Sequence, residues 1–489
     1  MTLQTRIWKL ISKNKQVLSN SKYQKILKSR QLRKNMATEK CQNKSVIAIS
    51  QMRCTNDKEA NMRQVEELVN KAKSQAASFL FLPECCDFVG ENRKQTLELS
   101  EPLTGATVQQ YKDLAKSNNI WLSLGGIHES VLDESECKSD KIYNAHVIIN
   151  DQGEIMNVYR KLHLFDVNTP EFRFRESDVV AAGSSLIPPL ETPVGKLGMQ
   201  ICYDIRFAEA SLLLAKMGAQ LLTYPSAFAY TTGKVHWEIL LRARAIENQC
   251  FVIAPAQVGY HNAKRRSWGH AMIIDPWGKI LSDCGGEQEL MVATVEIDLS
   301  AIEAVKQNMP CFEHRRHDVY SLFAYDTGKC HAEEDRLFAG NTIRKETIFY
   351  ESEYCYAFTN LICVVDGHVL ISTKRVMQRL KELNCAEMTD LFTTVCRIQR
   401  MLEDIYKTTA STVTVQDGAD AGQTVPHVHF HVMPRRPGDF GHNDQIYVKL
   451  EDRVENRPNR TIEERIEEAQ KYRTYLQQSR KIQIETDFS

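Results

Sequence analysis

The spacing of apolar and polar positions changes repeatedly along the first two thirds of the chain. It predicts a buried strand at 46–52, an amphipathic helix at 58–77 and a strand at 79–82 that ends at Pro83. The same rules predict further strands at 121–127, 143–149, 196–202, 220–224, 251–254 and 272–274, and helices at 207–217 and 237–247. Strands that alternate with helices predict an α/β domain whose sheets are covered by helices.

A second, smaller unit with a different pattern follows a polar stretch. Residues 321–337 are polar and weakly periodic, which predicts a linker at 326–337 between domains at 45–325 and 338–489. The second unit has predicted strands at 348–350, 356–360, 369–372, 412–416 and 427–432, and helices at 388–406 and 461–480. These strands and helices predict an α+β arrangement.

Composition and charge narrow the class of protein. The chain has 489 residues, which is too long for one ordinary core, and its net charge of zero argues against a general nucleic-acid or membrane-surface binder. We find no run of eighteen apolar residues, so we predict no spanning helix. The 14 cysteines include no CxxC pair and are expected to be mostly reduced and buried, which favours the cytoplasm.

The first 44 residues differ from the rest in charge. They hold twelve Lys or Arg residues and a single acid, Glu39. No apolar segment follows that would mark a secretory signal, so we expect a disordered extension. The alternative is a mitochondrial presequence, which would give a mitochondrial pool of the protein.

Three histidines occupy alternate positions of the predicted strand at 427–432. A period of two places His427, His429 and His431 on one face, while the residues between them point into a core. Half-buried structural histidines are a poor explanation for three at this spacing. The pattern fits either a metal site, which usually needs another ligand, or a relay in which an imidazole attacks a phosphate.

The segment before the histidines favours the relay. Gln416, Asp417 and Gly418 end one predicted strand, and residues 422–425 lead directly to His427. Glycine-permitted backbone can point several N–H groups at one anion, so this loop predicts a phosphate cradle.

The stretch QDGADAGQTVPHVHFHVMPRR resembles the histidine-triad hydrolases, and in particular the Fhit branch, which cleaves diadenosine polyphosphates. The likeness runs from about residue 338 to the C-terminal helix and implies an antiparallel sheet with helices. It implies that His429 is the nucleophile that carries a nucleotidyl group, and that His427 and His431 assist it. Nucleotide contacts are implied for Asn360 at the ribose, Gln416 over the phosphates, and Gly422, Gln423, Thr424 and Val425 in the cradle. A sister branch hydrolyses AMP conjugates of amines, but Gln416 and the GQTV loop favour dinucleotides.

Three residues of the larger domain stand at the ends of predicted strands. Glu84 follows one strand, Lys161 closes another, and Cys202 marks a strand-to-helix junction. Ligands of open α/β sheets bind beyond the carboxyl ends of strands. These are the residue types that an amidase needs: Cys202 as a thiol nucleophile, Glu84 as its base, and Lys161 as the ammonium that stabilises the oxyanion. We expect burial to raise the pKa of Glu84 toward neutrality, which would make it a better base.

The stretches FLPEC, YRKLHLFD, ICYDIRF, YPSAFAYTTGKVHWEILLRARAIENQCFV and GHAMIIDPWG resemble the nitrilase superfamily over about residues 45–325. The resemblance implies a four-layer α-β-β-α sandwich with Cys202 as nucleophile, Glu84 as general base and Lys161 as the oxyanion-stabilising residue. A second active-site glutamate maps onto Glu176, with Glu171 as the competing position. The Nit group is the most similar branch, which implies an amidase for small ω-amides such as deaminated glutathione.

The two resemblances together are those of a fusion family that joins a Nit domain to a Fhit domain. They imply a bifunctional hydrolase that assembles as a homotetramer and binds small molecules, without a nucleic-acid or membrane partner. We expect no tightly bound cofactor or protein-bound metal, and a divalent cation, Mg or Mn, that binds with the nucleotide. The alternative is a signalling scaffold whose output is the nucleotide-bound state, with the first domain as an oligomerisation platform. A pure platform, however, needs none of Glu84, Lys161 and Cys202.

Overall fold

A computed structural model describes residues 44–132, 138–168, 173–316, 319–320, 322, 329–451 and 459–486. The basic extension predicted at 1–44 lies outside these residues except for Lys44, which opens the first strand.

The first domain contains two large sheets, a small two-stranded sheet and the helices that flank the large sheets. Its strands are β1 (Lys44–Met52), β2 (Phe79–Phe81), β3 (Trp121–Leu132), β4 (Lys138–Ile149), β5 (Ile155–Arg160), β6 (Asp166–Asn168), β7 (Arg173–Arg175), β8 (Leu190–Thr192), β9 (Gly195–Met199), β10 (Leu221–Thr223), β11 (Phe251–Ala254), β12 (Ala256–Tyr260), β13 (Arg266–Trp268), β14 (Met272–Ile274), β15 (Ile280–Asp283) and β16 (Leu290–Asp298). Its helices are α1 (Lys58–Ser74), α2 (Arg93–Leu99), α3 (Ala106–Asn118), α4 (Ala208–Lys216), α5 (Tyr230–Asn248) and α6 (Ser300–Asn308).

Parallel strands form the centre of both sheets. The larger sheet has the order β13-β12-β1-β2-β3-β4-β5 with β16 also paired to β1, and the smaller has the order β15-β14-β11-β10-β9-β8. β1, β2 and β3 are mutually parallel, as are β9, β10 and β11. The carboxyl ends of neighbouring strands therefore meet at one edge of each sheet.

Both faces of the central strands are buried, which explains their continuous apolar sequence. On β2, Phe79 and Phe81 belong to the core between the sheets, while Leu80 packs on the opposite face. The outer core holds residues of α1 and α3, and the inner core also holds residues of α4 and α5, for example Trp237. Helix, sheet, sheet and helix thus form four layers, and the predicted α-β-β-α sandwich is confirmed.

The strands predicted at 121–127 and 143–149 are each five residues longer in the structure, and two elements near the site also differ from their predictions. The strand predicted at 196–202 ends at Met199, because Cys202 has a φ of 44° and begins a short 3-10 helix. The helix predicted at 237–247 begins earlier, at Tyr230. The first turns of this helix contain several polar residues, so their hydrophobic spacing did not indicate a helix. They pack closely on the rest of the domain, with Gly233 against Trp268, and this packing stabilises the helical conformation.

The second domain has a five-stranded antiparallel sheet with two long helices packed on it, and a separate two-stranded sheet. Its strands are β17 (Arg336–Phe338), β18 (Asn341–Ile343), β19 (Ile348–Glu351), β20 (Cys355–Thr359), β21 (Val369–Thr373), β22 (Ala410–Val415) and β23 (His429–Arg435), and its helices are α7 (Cys385–Tyr406), α8 (Gln445–Glu451) and α9 (Ile462–Thr486). The five-stranded sheet has the order β19-β20-β21-β23-β22. Apolar residues of α7 and α9 pack on it, which confirms the α+β prediction.

The second domain begins before residue 338, so the linker predicted at 326–337 is too long. Lys329 pairs with Glu351 through two backbone hydrogen bonds of 2.6 and 2.8 Å, and Cys330 is part of the second domain's core. Arg336 also forms a salt bridge with Glu351 at 2.6 Å. Hydrophobic spacing did not assign these residues to the second domain, because they contact it mainly through backbone hydrogen bonds and a salt bridge.

None of the helices in the described ranges has the length and apolar character needed to cross a membrane. The cysteines among the described residues are all free thiols.

Candidate active sites

Glu84 lies just beyond β2, where the neighbouring strand β3 makes room for it. The register of β3 against β4 shifts across Gly125 and Gly126. A Cβ atom at Gly126 would lie 2.5 Å from Asn144 Oδ1 and 3.2 Å from Glu84 Cγ. Glycine at 126 therefore allows Glu84 and Asn144 to approach each other.

Lys161, the residue after β5, lies between two carboxylates. Its Nζ donates to Glu84 Oε1 at 2.9 Å and to both oxygens of Glu176 at 3.0 and 2.9 Å. Asn144 Nδ2 donates to Glu84 Oε1 at 2.8 Å and to Glu176 Oε1 at 3.2 Å. All four side chains are buried. Buried charges persist when they are paired and hydrogen-bonded, and this cluster satisfies that condition.

Backbone amides hold the second oxygen of each carboxylate. Ala227 N donates to Glu84 Oε2 and Phe165 N donates to Glu176 Oε2, both at 2.7 Å. The two glutamates are thus fixed by the chain itself as well as by Lys161.

Cys202 occupies a strained backbone position. Its φ of 44° lies in the left-handed region, and its amide donates to Pro225 O at 3.0 Å. A non-glycine residue held in this region is typical of functional sites. The conformation turns the chain sharply after β9.

Asp204 anchors this turn to the end of β5. Its fully buried carboxylate accepts hydrogen bonds from Ile201 N at 2.9 Å, Tyr159 Oη at 2.7 Å and His163 Nδ1 at 2.7 Å. Cys202 and Lys161 therefore have a common support, although they are far apart in sequence.

The electrostatic environment keeps Glu84 charged and Cys202 neutral. Burial alone would raise the pKa of Glu84, but the Lys161 charge and the Ala227 amide outweigh burial and hold that pKa well below its ordinary value. This is opposite to our expectation of a pKa raised toward neutrality. Burial and the charge of Glu84 raise the pKa of Cys202 well above its ordinary value. At neutral pH the site therefore holds a carboxylate that can accept a proton and a thiol that can give one.

The structure brings Glu84, Lys161 and Glu176 into direct contact. The competing position, Glu171, lies outside the described residues. Asn144 and Asp204 were not predicted as site residues. A single asparagine within the apolar run 142–149 was the available signal for Asn144, whereas Asp204 is recognised only through its tertiary contacts.

The histidine strand of the second domain begins at His429, two residues later than predicted. His427 precedes it in a turn, where its amide donates to Val425 O at 2.8 Å. Val428 and Phe430 are core residues, as the period of two predicted. The turn does not separate the histidine rings, because Phe338 contacts both His427 and His429, with ring centroids 5.4 and 5.1 Å apart.

A backbone carbonyl fixes the protonation of His429. Its Nδ1 lies 2.7 Å from His427 O, which can only accept a hydrogen bond. Nδ1 therefore carries the proton, and Nε2 keeps the lone pair that an attacking nitrogen needs.

A chain of hydrogen bonds fixes His431 in the opposite way. Val364 N donates to His368 Nδ1 at 3.2 Å, so His368 Nε2 carries a proton and donates to His431 Nδ1 at 2.9 Å. The proton of His431 then resides on Nε2, which is buried and has no partner among the described residues. Asn360 Nδ2 also lies 3.3 Å from His368 Nδ1 and stabilises this chain. His368 and Phe338 were not predicted as site residues; a histidine beside an apolar strand was the only signal.

The loop before the histidines contains two glycines in conformations that favour glycine. Gly418 and Gly422 have φ values of 109° and 84°. A Cβ at Gly422 would lie 2.7 Å from Gln416 Nε2, so glycine here admits the Gln416 side chain. Gln423 binds within the loop, since its Oε1 accepts from Gly418 N at 3.0 Å. Thr424 is exposed and Val425 is half-buried, so backbone rather than side chains dominates this part of the loop.

Burial lowers the pKa of His427 and of His429. Burial also lowers the pKa of His431 well below its ordinary value, and a proton on His368 or His429 would lower it further by repulsion. The three imidazoles are therefore neutral at physiological pH. Within the described ranges, no group of three or more His, Cys, Asp or Glu residues has an arrangement that could hold a metal ion.

Two protein families match successive parts of the chain. The carbon-nitrogen hydrolase family matches residues 46–307, and the HIT domain family matches residues 341–438. The first match covers the site of Glu84, Lys161 and Cys202, and the second covers the histidine site.

Two proteins that combine these two domains are similar to the chain along most of its length, and an amidase is similar to its first domain. The nitrilase and fragile histidine triad fusion protein NitFhit of Drosophila melanogaster is 63% identical over 446 residues, which is 91% of this chain and 95% of the fly protein. The crystal structure of the C. elegans NitFhit protein has 42% identity, covers 88% of this chain and 99% of that one, and has a TM-score of 0.77. The deaminated glutathione amidase of Mus musculus is 47% identical over 281 residues, or 57% of this chain and 86% of the mouse protein.

The three neutral histidines predict how stability changes with pH. Their pKa values in the folded domain lie below the unfolded value of about 6.5, so below that pH the unfolded chain binds protons that the folded domain excludes. The free energy of unfolding of the second domain should therefore fall as pH drops from about 7 to about 5.5, by up to about 1.4 kcal/mol per histidine and pH unit. Pulse proteolysis in urea gradients, with second-domain fragments identified by mass spectrometry, measures this change. A triple variant, His427→Asn, His429→Asn and His431→Asn, should show a smaller dependence, and an equal one would contradict the assignment.

Proposed function

Because the chain belongs to the NitFhit family, in which a carbon-nitrogen hydrolase domain precedes a HIT domain, we propose that it is a bifunctional hydrolase. The first domain is an amidase for small ω-amides, and the second hydrolyses diadenosine triphosphate to AMP and ADP. The observation that carries the amidase proposal is the Lys161 ammonium held between Glu84 and Glu176 beside the Cys202 turn.

In the amidase reaction the Cys202 thiol gives its proton to Glu84 while its sulfur attacks the amide carbonyl. Lys161 and the backbone N–H of Tyr203 stabilise the oxyanion that forms. Glu84 then passes the proton to the departing amine, leaving a thioester on Cys202. A water molecule, activated by Glu84, hydrolyses this thioester and restores the thiol. Glu176 keeps Lys161 charged and in place throughout.

Deaminated glutathione is the substrate that we propose for this site. The proposal is supported by the 47% identity to a mouse protein named deaminated glutathione amidase, which covers 86% of that protein. The α-keto ω-amide α-ketoglutaramate, a smaller member of the same chemical class, serves as a second test substrate.

Replacement of Cys202 tests the amidase. Cys202→Ala removes the nucleophile, so hydrolysis of deaminated glutathione should fall by at least about a thousandfold. Cys-Gly release, followed by mass spectrometry, measures it. AMP release from diadenosine triphosphate serves as the control and should stay unchanged, and equal amide turnover by both proteins would rule out Cys202 as the nucleophile.

In the second domain the neutral Nε2 of His429 attacks the α-phosphorus of the dinucleotide, and ADP leaves. His431 Nε2–H donates to a phosphate or leaving-group oxygen, and water then releases AMP from the histidine. The fixed protonation of the two imidazoles supports this assignment. Asn360 would contact the ribose, and the loop of Gln416, Gly422, Gln423, Thr424 and Val425 would surround the phosphates beside His427. A Mg or Mn ion that enters with the substrate would neutralise phosphate charge.

Replacement of His429 tests this second reaction. His429→Asn keeps a polar side chain without a nucleophilic nitrogen, so AMP release from diadenosine triphosphate should fall by at least about a thousandfold while nucleotide binding persists. Chromatography of the products measures turnover, and an AMP-modified peptide containing His429 in quenched wild-type samples identifies the intermediate. Wild-type protein that releases no AMP would refute the proposal; amide hydrolysis by His429→Asn provides the control.

We also propose that the chain forms a homotetramer through its first domain. On α5, Val235, Ile239 and Ile246 share one helical face and are 60%, 69% and 41% exposed, and Trp277, whose neighbour Gly278 lies against Ile246, is 62% exposed. An apolar surface of this kind is typical of an interface. A second copy of the chain would cover it.

A charge on this face should weaken assembly. Ile239→Glu would bury an unpaired carboxylate between copies, so light scattering should give a smaller mass than the four-chain mass expected of the wild type. Gln110→Glu adds the same charge to an exposed position of α3 and should leave the mass unchanged. A monomeric wild-type protein would contradict the proposal.

A further inference from the structure

A second cation stands beside the amidase site and is not used in the reaction described above. Arg265 follows β12 in the loop at 261–265, and its Nη2 lies 3.7 Å from Cys85 Sγ. Cys85 directly follows Glu84 and has a φ of 58°, so the chain bends sharply here. The Arg265 guanidinium therefore lies next to Cys85, the residue that directly follows the proposed base Glu84.

The loop that carries Arg265 is firmly held. His261 is buried, its Nδ1 donates to Cys54 O at 2.8 Å, and its amide donates to Arg265 O at 2.9 Å. Asn262 Oδ1 accepts from the amides of Lys264 and Arg265 at 2.9 and 2.8 Å. The loop therefore holds the Arg265 backbone in one conformation, which lowers the entropy lost when the side chain binds a ligand.

The guanidinium retains free donors. Among the described residues, the thiol of Cys85 is the one side-chain partner that Arg265 donates to, and no carboxylate lies within salt-bridge distance of it. Burial disfavours its charge, but Cys85 and the charges of Glu84 and Glu176 outweigh burial and raise the pKa of Arg265. The side chain is thus a permanent cation whose charge interacts with Glu84 and Glu176, while among the described residues no carboxylate forms a salt bridge with it.

The charges of the site indicate a role for the Arg265 cation. Two carboxylates, Glu84 and Glu176, surround the single ammonium of Lys161, so the cluster has an excess negative charge. That excess would repel an acidic substrate. Arg265 offsets it, and a planar guanidinium with free N–H groups is the side chain best suited to bind a carboxylate with two hydrogen bonds.

We propose that Arg265 binds a carboxylate of the amide substrate and thereby makes the first domain selective for acidic amides over neutral ones. The proposal rests on the amidase function proposed above and adds the residue that recognises the charge of the substrate. The carboxylate belongs either to the acyl chain or to the leaving group, and the experiment separates the two.

The kinetic test compares amides that differ by one carboxylate. Glutaramate and glutaramide differ in the acyl chain, whereas deaminated glutathione and its glycine carboxamide differ in the leaving group. Arg265→Met should lower kcat/KM by about 10- to 100-fold for the acidic member of one pair, mainly through KM, because a charge-assisted hydrogen bond is lost. The neutral member of that pair should change by less than about threefold. Arg265→Lys should restore part of the lost activity, since it keeps the charge but not the planar fork.

Lys264→Met is the matched control, because Lys264 is an exposed cation one residue away in the same loop. It should leave both members of each pair unchanged. If Arg265→Met slows acidic and neutral amides equally, Arg265 only supports Glu84 and the proposal is wrong.

A second measurement does not require amide turnover. Iodoacetate and iodoacetamide alkylate Cys202 with loss of iodide and differ only by a carboxylate in place of an amide. The ratio of their rates at Cys202, read from the peptide by mass spectrometry, should fall at least about threefold in Arg265→Met and stay constant in Lys264→Met. An unchanged ratio would overturn the role of Arg265. Absence of all amide hydrolysis in the wild type, with the ratio still dependent on Arg265, would instead refute the amidase proposal.

Discussion

The buried ammonium of Lys161 is the interaction on which the architecture of the first domain depends. Removing a charged group from water costs several kcal/mol unless an opposite charge pairs with it. Glu84 and Glu176 both form salt bridges with Lys161 and so offset this cost. The three residues come from different parts of the chain. Their meeting requires the end of β2, the end of β5 and the segment after β7 to converge, and the glycine bulge in β3 supplies the space.

The site of the second domain depends on neutral imidazoles rather than on paired charges. Its site must keep imidazoles neutral, and burial does so without a counterion. Backbone groups then decide which nitrogen of each ring holds the proton: His427 O for His429, and Val364 N, through His368, for His431. One site therefore depends on charge pairing between distant elements, and the other on the geometry of adjacent strands.

Much of the fold was predictable from residue spacing. The continuous apolar run 79–82 indicated a strand buried on both faces, and alternation at 427–432 indicated one face for the histidines and one for the core. Elements whose conformation depends on long-range contacts were predicted less well. The strand before Cys202 is shorter than its sequence pattern suggests, and residues 329–337 belong to the second domain through backbone pairing with Glu351.

The sequence by itself determined an α/β domain with helix-covered sheets, the two successive domains and the residue types of both sites, because spacing and local motifs encode them; the four layers followed from the family resemblance. Only the tertiary structure decided the ionisation of the first site: Lys161 reverses the effect of burial on Glu84, and sequence spacing cannot show that distance. It also decided the parts played by Asn144, Asp204, His368 and Arg265. Each of these residues is ordinary in its own segment, and its function arises from partners that lie far away in the chain.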